Sequence, residues 1–194
     1  MQFNDVRAEF APAVGANLTG WGDSWVDLNN DGVLELLIAN GAIPITNLTK
    51  DAAPVQVLVQ RNGRFVDAGL LRGVRMNGRG LAAADYDNDG RVDVAINSIG
   101  GPLVLLHNTG PSGHWLEVDV QPFSPGAIVT LVRSDGHRDV REVHAGSSYL
   151  SSEDPRIHFG LGTSSPRELI VRYPDGTVKK FENVPADQTF VATR

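Results

Sequence analysis

Cysteine is absent from this 194-residue chain. Disulfide stapling and zinc–thiolate sites are therefore excluded, and bound oxygen-ligated cations could supply part of that stapling instead. No apolar run approaches the roughly 20 residues that a membrane-spanning helix needs. The opening Met1-Gln2-Phe3-Asn4-Asp5 lacks the basic segment and apolar core of a signal peptide. A mature or truncated chain would read the same way. Basic charge is scarce: 17 Lys and Arg stand against 23 Asp and Glu, for a net charge of −6. The one small basic cluster, Arg72, Arg75 and Arg79, has no interleaved aromatics, so it reads as a solvated connector and not as a nucleic-acid surface. The rest is ordinary for a globular protein, with 41% hydrophobic and 21% charged residues, and the length suffices for one or two cored domains.

The acids are concentrated, not spread. Residues 1–110 hold 12 Asp and Glu, and seven of them fall in two short stretches. The first is Asp27-Leu28-Asn29-Asn30-Asp31-Gly32-Val33-Leu34-Glu35; the second is Asp85-Tyr86-Asp87-Asn88-Asp89-Gly90-Arg91-Val92-Asp93. Both read D-x-[DN]-x-D-G-x-x-[DE], with oxygen-bearing side chains at positions 1, 3, 5 and 9. Two unit charges about 4 Å apart repel by roughly 1 kcal/mol in water and roughly 4 at an effective dielectric near 20. A plain Asp/Asn/Gly turn needs one or two such residues, not four acids in alternation. Alternation lets positions 1, 3 and 5 point inward together, position 7 lend a backbone carbonyl, and position 9 close the shell. That donor set suits a hard cation with six to eight oxygen ligands, and calcium tolerates its irregular geometry better than magnesium. The expected ligands are Asp27, Asn29, Asp31, Val33 and Glu35 for one ion, and Asp85, Asp87, Asp89, Arg91 and Asp93 for a second, with Val33 and Arg91 acting through their carbonyls.

An EF-hand is excluded. It requires a bidentate Glu at loop position 12 and flanking helices, whereas Ile38 and Ile96 stand there. The residues after each loop are strand-like: Val92, Val94 and Ile96 share one face at period two, and Asn40-Gly41 and Gly100-Gly101-Pro102 end the runs. The two loops start 58 residues apart within a longer repeat: strand, acid loop, strand, break, strand, Asn-Gly-type turn. The segment Ala42–Pro54 inserts extra loop into the first copy. Several short strands per copy at this period predict propeller blades. Phe3-Asn4-Asp5-Val6 matches Phe65-Val66-Asp67-Ala68, which predicts that the chain opens on the last strand of an earlier blade. Two blades do not close a ring of about four to eight. The expectation is a C-terminal portion of a longer polypeptide, or a partner that completes the ring.

Thr109–Gly113 reads as a linker. Beyond it the pattern is all β: Leu116, Val118 and Val120 alternate with Glu117 and Asp119, and Ser134-Asp135-Gly136 and Tyr173-Pro174-Asp175-Gly176-Thr177 are hairpin turn signals. Six to eight strands in a sandwich or small barrel are expected. Ser147, Ser148, His144, His158 and Asp154 contain the parts of a hydrolytic triad, but no nucleophile elbow surrounds them. Hydroxyls that satisfy turns are commoner than nucleophiles, and the chain reads as a non-enzyme. Trp21, Trp25, Trp115 and Tyr149 offer stacking surface for a sugar or a partner, with core packing as their ordinary use.

Residues 20–110 resemble FG-GAP/VCBS repeats, the calcium-loop blades of integrin-type propellers. His114–Thr189 resembles the ASPIC/UnbV domain through Pro125–Leu131, Arg141–Gly162 and Val171–Gly176. This order is similar to the cartilage-acidic-protein-like family. The resemblance implies the same ten ligands, with Glu35 in place of the usual last Asp and hence a looser first site. It also implies an extracellular, cell-surface or periplasmic setting, and no defined chemical activity. The complete expectation is an all-β chain with an incomplete calcium-loop propeller over 1–110 and a β-sandwich or barrel-like domain over 111–194. Two calcium ions and a protein partner or the remaining blades are implied. Its function would be non-catalytic interaction, adhesion or assembly. A carbohydrate-binding module with a glycan ligand, or an accessory subunit of an enzyme or larger complex, are the alternatives.

Overall fold

The computed structural model describes residues 2–10, 14 and 17–194. Residues 3–6, expected as a strand, carry none; a one-turn helix, α1 (Arg7–Phe10), comes after them. That match rested on four residues, too few to specify a strand without a neighbour to pair with. From there the described chain is built of strands.

The first blade contains β1 (Gly20–Val26) and β2 (Glu35–Asn40). After β3 (Ala53–Pro54) come β4 (Gln56–Arg61) and β5 (Arg64–Asp67), giving an antiparallel sheet in the order β1-β2-β4-β5. β3 lies at the end of the inserted segment and pairs with β6 (Arg75–Met76), outside the blade sheet. The second blade holds β7 (Gly78–Ala84), β8 (Asp93–Ser98) and β9 (Val104–Leu106), in that spatial order. Register is conserved between blades: position 10 of each loop, Leu36 and Val94, faces Leu58 and Leu106 respectively. The blades share one core in which Val26, Leu37, Ala39, Val57, Leu81, Ala83, Val94 and Ile96 are buried.

β10 (His114–Gln121), β11 (Ile128–Arg133), β12 (Arg138–Glu142), β13 (Ile157–Gly162), β14 (Pro166–Arg172), β15 (Val178–Glu182) and β16 (Thr189–Thr193) form the rest. They make a three-stranded sheet, β13-β10-β16, and a four-stranded sheet, β12-β11-β14-β15. Both sheets contribute to a second core, with Leu116, Val118, Leu131, Phe159, Leu169 and Tyr173 at 0–1% exposure. Full burial of such side chains contributes about 1.5–3 kcal/mol each. Between the sandwich and barrel expectations the sandwich holds, since the two sheets remain separate. The alternation read at Leu116–Val120 places Glu117 oddly: it is 2% exposed, and its reason lies at the junction between the loops and the sandwich.

Candidate metal centre

Each acid loop joins the first two strands of a blade, β1 to β2 and β7 to β8. The backbones repeat closely. Position 4 is left-handed in both, Asn30 at φ 57° and Asn88 at φ 59°, and so is position 6, Gly32 at 90° and Gly90 at 86°. Asparagine tolerates that region and glycine enters it without penalty, so the sequence pattern and the turn agree. The position-1 carboxylate clamps the turn in each copy. Asp27 accepts from the N–H of Asp31 (3.1 Å) and of Gly32 (2.7 Å); Asp85 accepts from Asp89 (3.1 Å) and Gly90 (2.7 Å).

The second loop converges. Carboxylate oxygens of Asp85, Asp87 and Asp89 lie within 4.8 Å of one another, and so do ligand atoms of Asp87, Asp93 and His107. Asp93 is 2% exposed. Its Oδ1 accepts from the N–H of Asn108 at 2.6 Å and faces His107 Nδ1 at 3.2 Å. Its Oδ2 is buried and has no hydrogen-bond partner. A buried carboxylate oxygen left unpaired is costly, and a cation held with Asp87 would remove that cost. Burial pushes the Asp85 carboxyl up against its two backbone donors, and the charges of Asp89 and Asp87 add to the rise. Asp89 is held the other way. Burial raises it, but the backbone and guanidinium of Arg91 outweigh this, with Nη1 to Oδ2 at 2.6 Å. The donor set fits a hard divalent ion.

The first loop is less drawn together. Asn29 donates to Asp31 Oδ2 at 3.0 Å, Asp31 Oδ1 accepts from Val33 N–H at 2.8 Å, and Glu35 Oε2 accepts from Leu28 N–H at 2.9 Å. The extra methylene of Glu35 lets it reach back to the loop's own backbone. Burial pushes Glu35 up to about 7 and also raises Asp27, so these acids too are desolvated. Among the described residues, both carboxylate groups that converge within 4.8 Å belong to the second loop. At position 7, the Val33 side chain is exposed, and the Arg91 side chain turns to Asp89 and to the carbonyl of Gly110.

Both loops back onto the sandwich, which the sequence pattern did not reveal. Asn30 donates to the Gly90 carbonyl (2.6 Å) and to Ser112 Oγ (2.7 Å), while its Oδ1 lies 2.7 Å from His158 Nε2. Asn108 donates to the Leu28 carbonyl, so each loop is tied to the other. In the second loop, Asn88 Oδ1 accepts from Arg156 Nη1 at 2.9 Å, and the Asp85 carbonyl accepts from Nη2 at 3.1 Å. Arg156 also binds Asp154 and Glu117, the latter at 2.6 Å. Thr189 donates to the same Glu117 oxygen. This explains a buried acid in β10: burial pushes Glu117 up to about 7, and Thr189 and Arg156 oppose the rise. The Trp115 ring covers Gly90, where any Cβ would collide with it, and stacks on His158 at 6.0 Å and 11°.

A cleft of about 370 Å³ opens at this junction, lined by Asp85, Glu117, His144, Ser147, Asp154 and His158 among others. Four of the five triad components are engaged in other contacts. Ser148 Oγ accepts from Asp23 N–H, Ser147 Oγ accepts from Glu153 N–H, Asp154 grips Arg156, and His158 faces Asn30. The four singled-out aromatics are dispersed. Trp21 meets Tyr149 edge-on and lies under Arg79, Trp25 meets Phe65, and Trp115 meets His158. Asn30, Asn88, His107, Asn108, Glu117 and Arg156 escaped sequence reading. The signal available for the asparagines was their shared position 4, and His107-Asn108 read as a turn.

Comparison with known proteins agrees with the order of these parts. Residues 27–96 match the FG-GAP-like repeat model, and residues 119–194 match the ASPIC and UnbV model. Cartilage acidic protein 1 of Mus musculus is 35% identical over 107 residues, covering 51% of this chain and 17% of that protein. The Xenopus tropicalis protein of the same name is 34% identical over 109 residues, covering 52% and 17%. The Homo sapiens protein is 34% identical over 107 residues, covering 51% and 16%. The matched stretch is thus about a sixth of the length of these curated relatives. The chain carries FG-GAP-like repeat sequence followed by ASPIC and UnbV sequence, in an all-β fold.

Proposed function

We propose that this chain is a calcium-stabilised, non-catalytic interaction module that works outside the cell in adhesion, scaffolding or assembly. The observation that carries the reading is Asp93: a carboxylate 2% exposed, with one oxygen unpartnered, grouped with Asp87, which in turn converges with Asp85 and Asp89. Calcium held there would fix the turn and, through Arg156, Asn30 and Trp115, the seat of the sandwich. The ion is structural and does no chemistry. Ser147 and Ser148 accept from backbone N–H groups and Asp154 is paired with Arg156, contacts that suit bracing of the loop and the junction. The partner is a protein surface or the remaining blades of a propeller. The extracellular setting is supported by similarity to cartilage acidic protein 1.

The test is thermal. At free calcium ten times Kd, each site would contribute about 1.4 kcal/mol. For a chain of this size about 1 kcal/mol moves Tm by roughly 2–4 °C, so chelation should lower Tm by roughly 6–11 °C when both sites are loaded. Asp89→Ala should abolish the part due to one site. A melting curve indifferent to both EDTA and calcium contradicts the proposal.

A further inference from the structure

We infer that His107 is a nitrogen ligand of the second loop, so that this site, and not the first, also accepts a first-row divalent transition ion in competition with calcium. The inference rests on the reading that the second loop holds a cation, and adds to it the kind of cation.

His107 comes directly after β9 and leans back over the acid loop. Its Nδ1 lies 3.2 Å from Asp93 Oδ1 and its Nε2 lies 3.9 Å from Asp87 Oδ2. The ring is braced edge-on against Tyr86, with centroids 5.6 Å apart. The first distance is the separation expected of two atoms bound to one ion, so a deprotonated Nδ1 is placed to share a cation with Asp93. The second is too long for a hydrogen bond. Two ligands about 2.1 Å from one ion sit roughly 3–3.5 Å apart; Nδ1 and Asp93 Oδ1 already stand so, and a carboxylate oxygen of Asp87 belongs to the same group within 4.8 Å. The His107 side chain is 41% exposed, which gives an ion a way in. Within the same group, the buried Oδ2 of Asp93 lacks any hydrogen-bond partner. An imidazole among carboxylates favours cobalt or zinc over a purely oxygen-seeking ion, and manganese, which carboxylates suit, can report the nitrogen.

The first blade supplies an internal comparison. Its register sets Leu58 against Leu36 as Leu106 is set against Val94. The residue after Leu58 is Val59, so the position of His107 carries no donor in the first copy. The two loops thus share an oxygen pattern and differ in this nitrogen.

The experiment uses the metal-stripped chain loaded with Mn²⁺ and observed by pulsed EPR, alongside calorimetric titration with Ca²⁺ and with Mn²⁺. The native chain should show a ¹⁴N coupling to manganese. In His107→Val and His107→Gln the coupling should vanish and Mn²⁺ affinity fall about 10- to 100-fold, while Ca²⁺ affinity changes less than about threefold. His114→Val, which alters a surface imidazole paired with Asp187, should leave the coupling intact. If calcium binds but the manganese shows no nitrogen coupling, or keeps it without His107, the inference is overturned and the calcium reading stands. If neither ion binds at millimolar concentration, both are overturned.

Discussion

Asn30 Oδ1 lies 2.7 Å from Nε2 of His158, joining position 4 of the first acid loop to a strand of the sandwich. Because Asn30 uses its amide on the Gly90 carbonyl and on Ser112, the oxygen is left to accept and His158 must donate. One residue thereby ties two loops and the second core together. His158→Phe would preserve the stack on Trp115 while removing the donor. An unpaired buried acceptor costs about 1–3 kcal/mol, and chemical denaturation of the variant should show a loss of that size. An unchanged midpoint would mean that the bond contributes nothing.

The same histidine gives the stability a pH dependence. Burial, aided by the charges of Arg141 and Arg156, depresses its pKa to about 4, from 6.5 in the unfolded chain. A depressed histidine favours the fold only where the unfolded chain stays neutral too. Its contribution is therefore complete above pH ~6.5 and is lost as pH falls towards 4, by about 3 kcal/mol in full. Glu117 acts in the opposite sense, because its pKa is raised to about 7. The measurement is accordingly the stability difference between the native chain and His158→Gln across pH 4–7. That difference should shrink steadily as pH falls.

Gly160 offers a steric test of the junction. A Cβ there would sit 2.6 Å from Cα of Asn30 and collide with the Asp27 carboxylate. Backbone contact of this kind cannot be relieved by a side-chain rotation. Gly160→Ala should destabilise the chain by roughly 1–3 kcal/mol, the range for overpacking, and weaken calcium binding at the first loop more than at the second. Equal weakening at both sites in calorimetry would contradict a local effect.

Asp87→Asn should reverse sign with metal. Without an ion, removing one charge from the group formed with Asp85, Asp89 and Asp93 relieves repulsion, and stability should rise by up to about 1 kcal/mol. With calcium present the variant loses a ligand and should be the less stable of the pair. Melting curves with EDTA and with excess calcium should therefore cross between native and variant. Destabilisation under both conditions would point to a purely structural Asp87.

Much of the architecture was legible because it is periodic. Alternation at Val92–Ile96 and the Asp-Gly turns fix strands and breaks without reference to anything distant. The acid loops were legible for the same reason: all ten expected positions fall within nine-residue windows. The contacts that escaped are non-local. Arg156 reaches Asn88 across 68 positions and His158 reaches Asn30 across 128, and no local pattern encodes such a meeting. Glu117 read as an exposed face of β10 because its partners, Arg156 and Thr189, lie 39 and 72 residues away. The outlying strand expected at Phe3–Val6 failed for the converse reason, since a short apolar alternation forms a strand only where an edge receives it.

Calorimetric titration of the metal-stripped chain with calcium decides whether the acid loops hold ions at all. Two ions per chain should bind saturably, with Asp89→Ala removing one and Asp31→Ala removing the other. Absence of saturable heat and of any change in Tm at millimolar calcium would mean that both loops are closed by their own hydrogen bonds and need no cation.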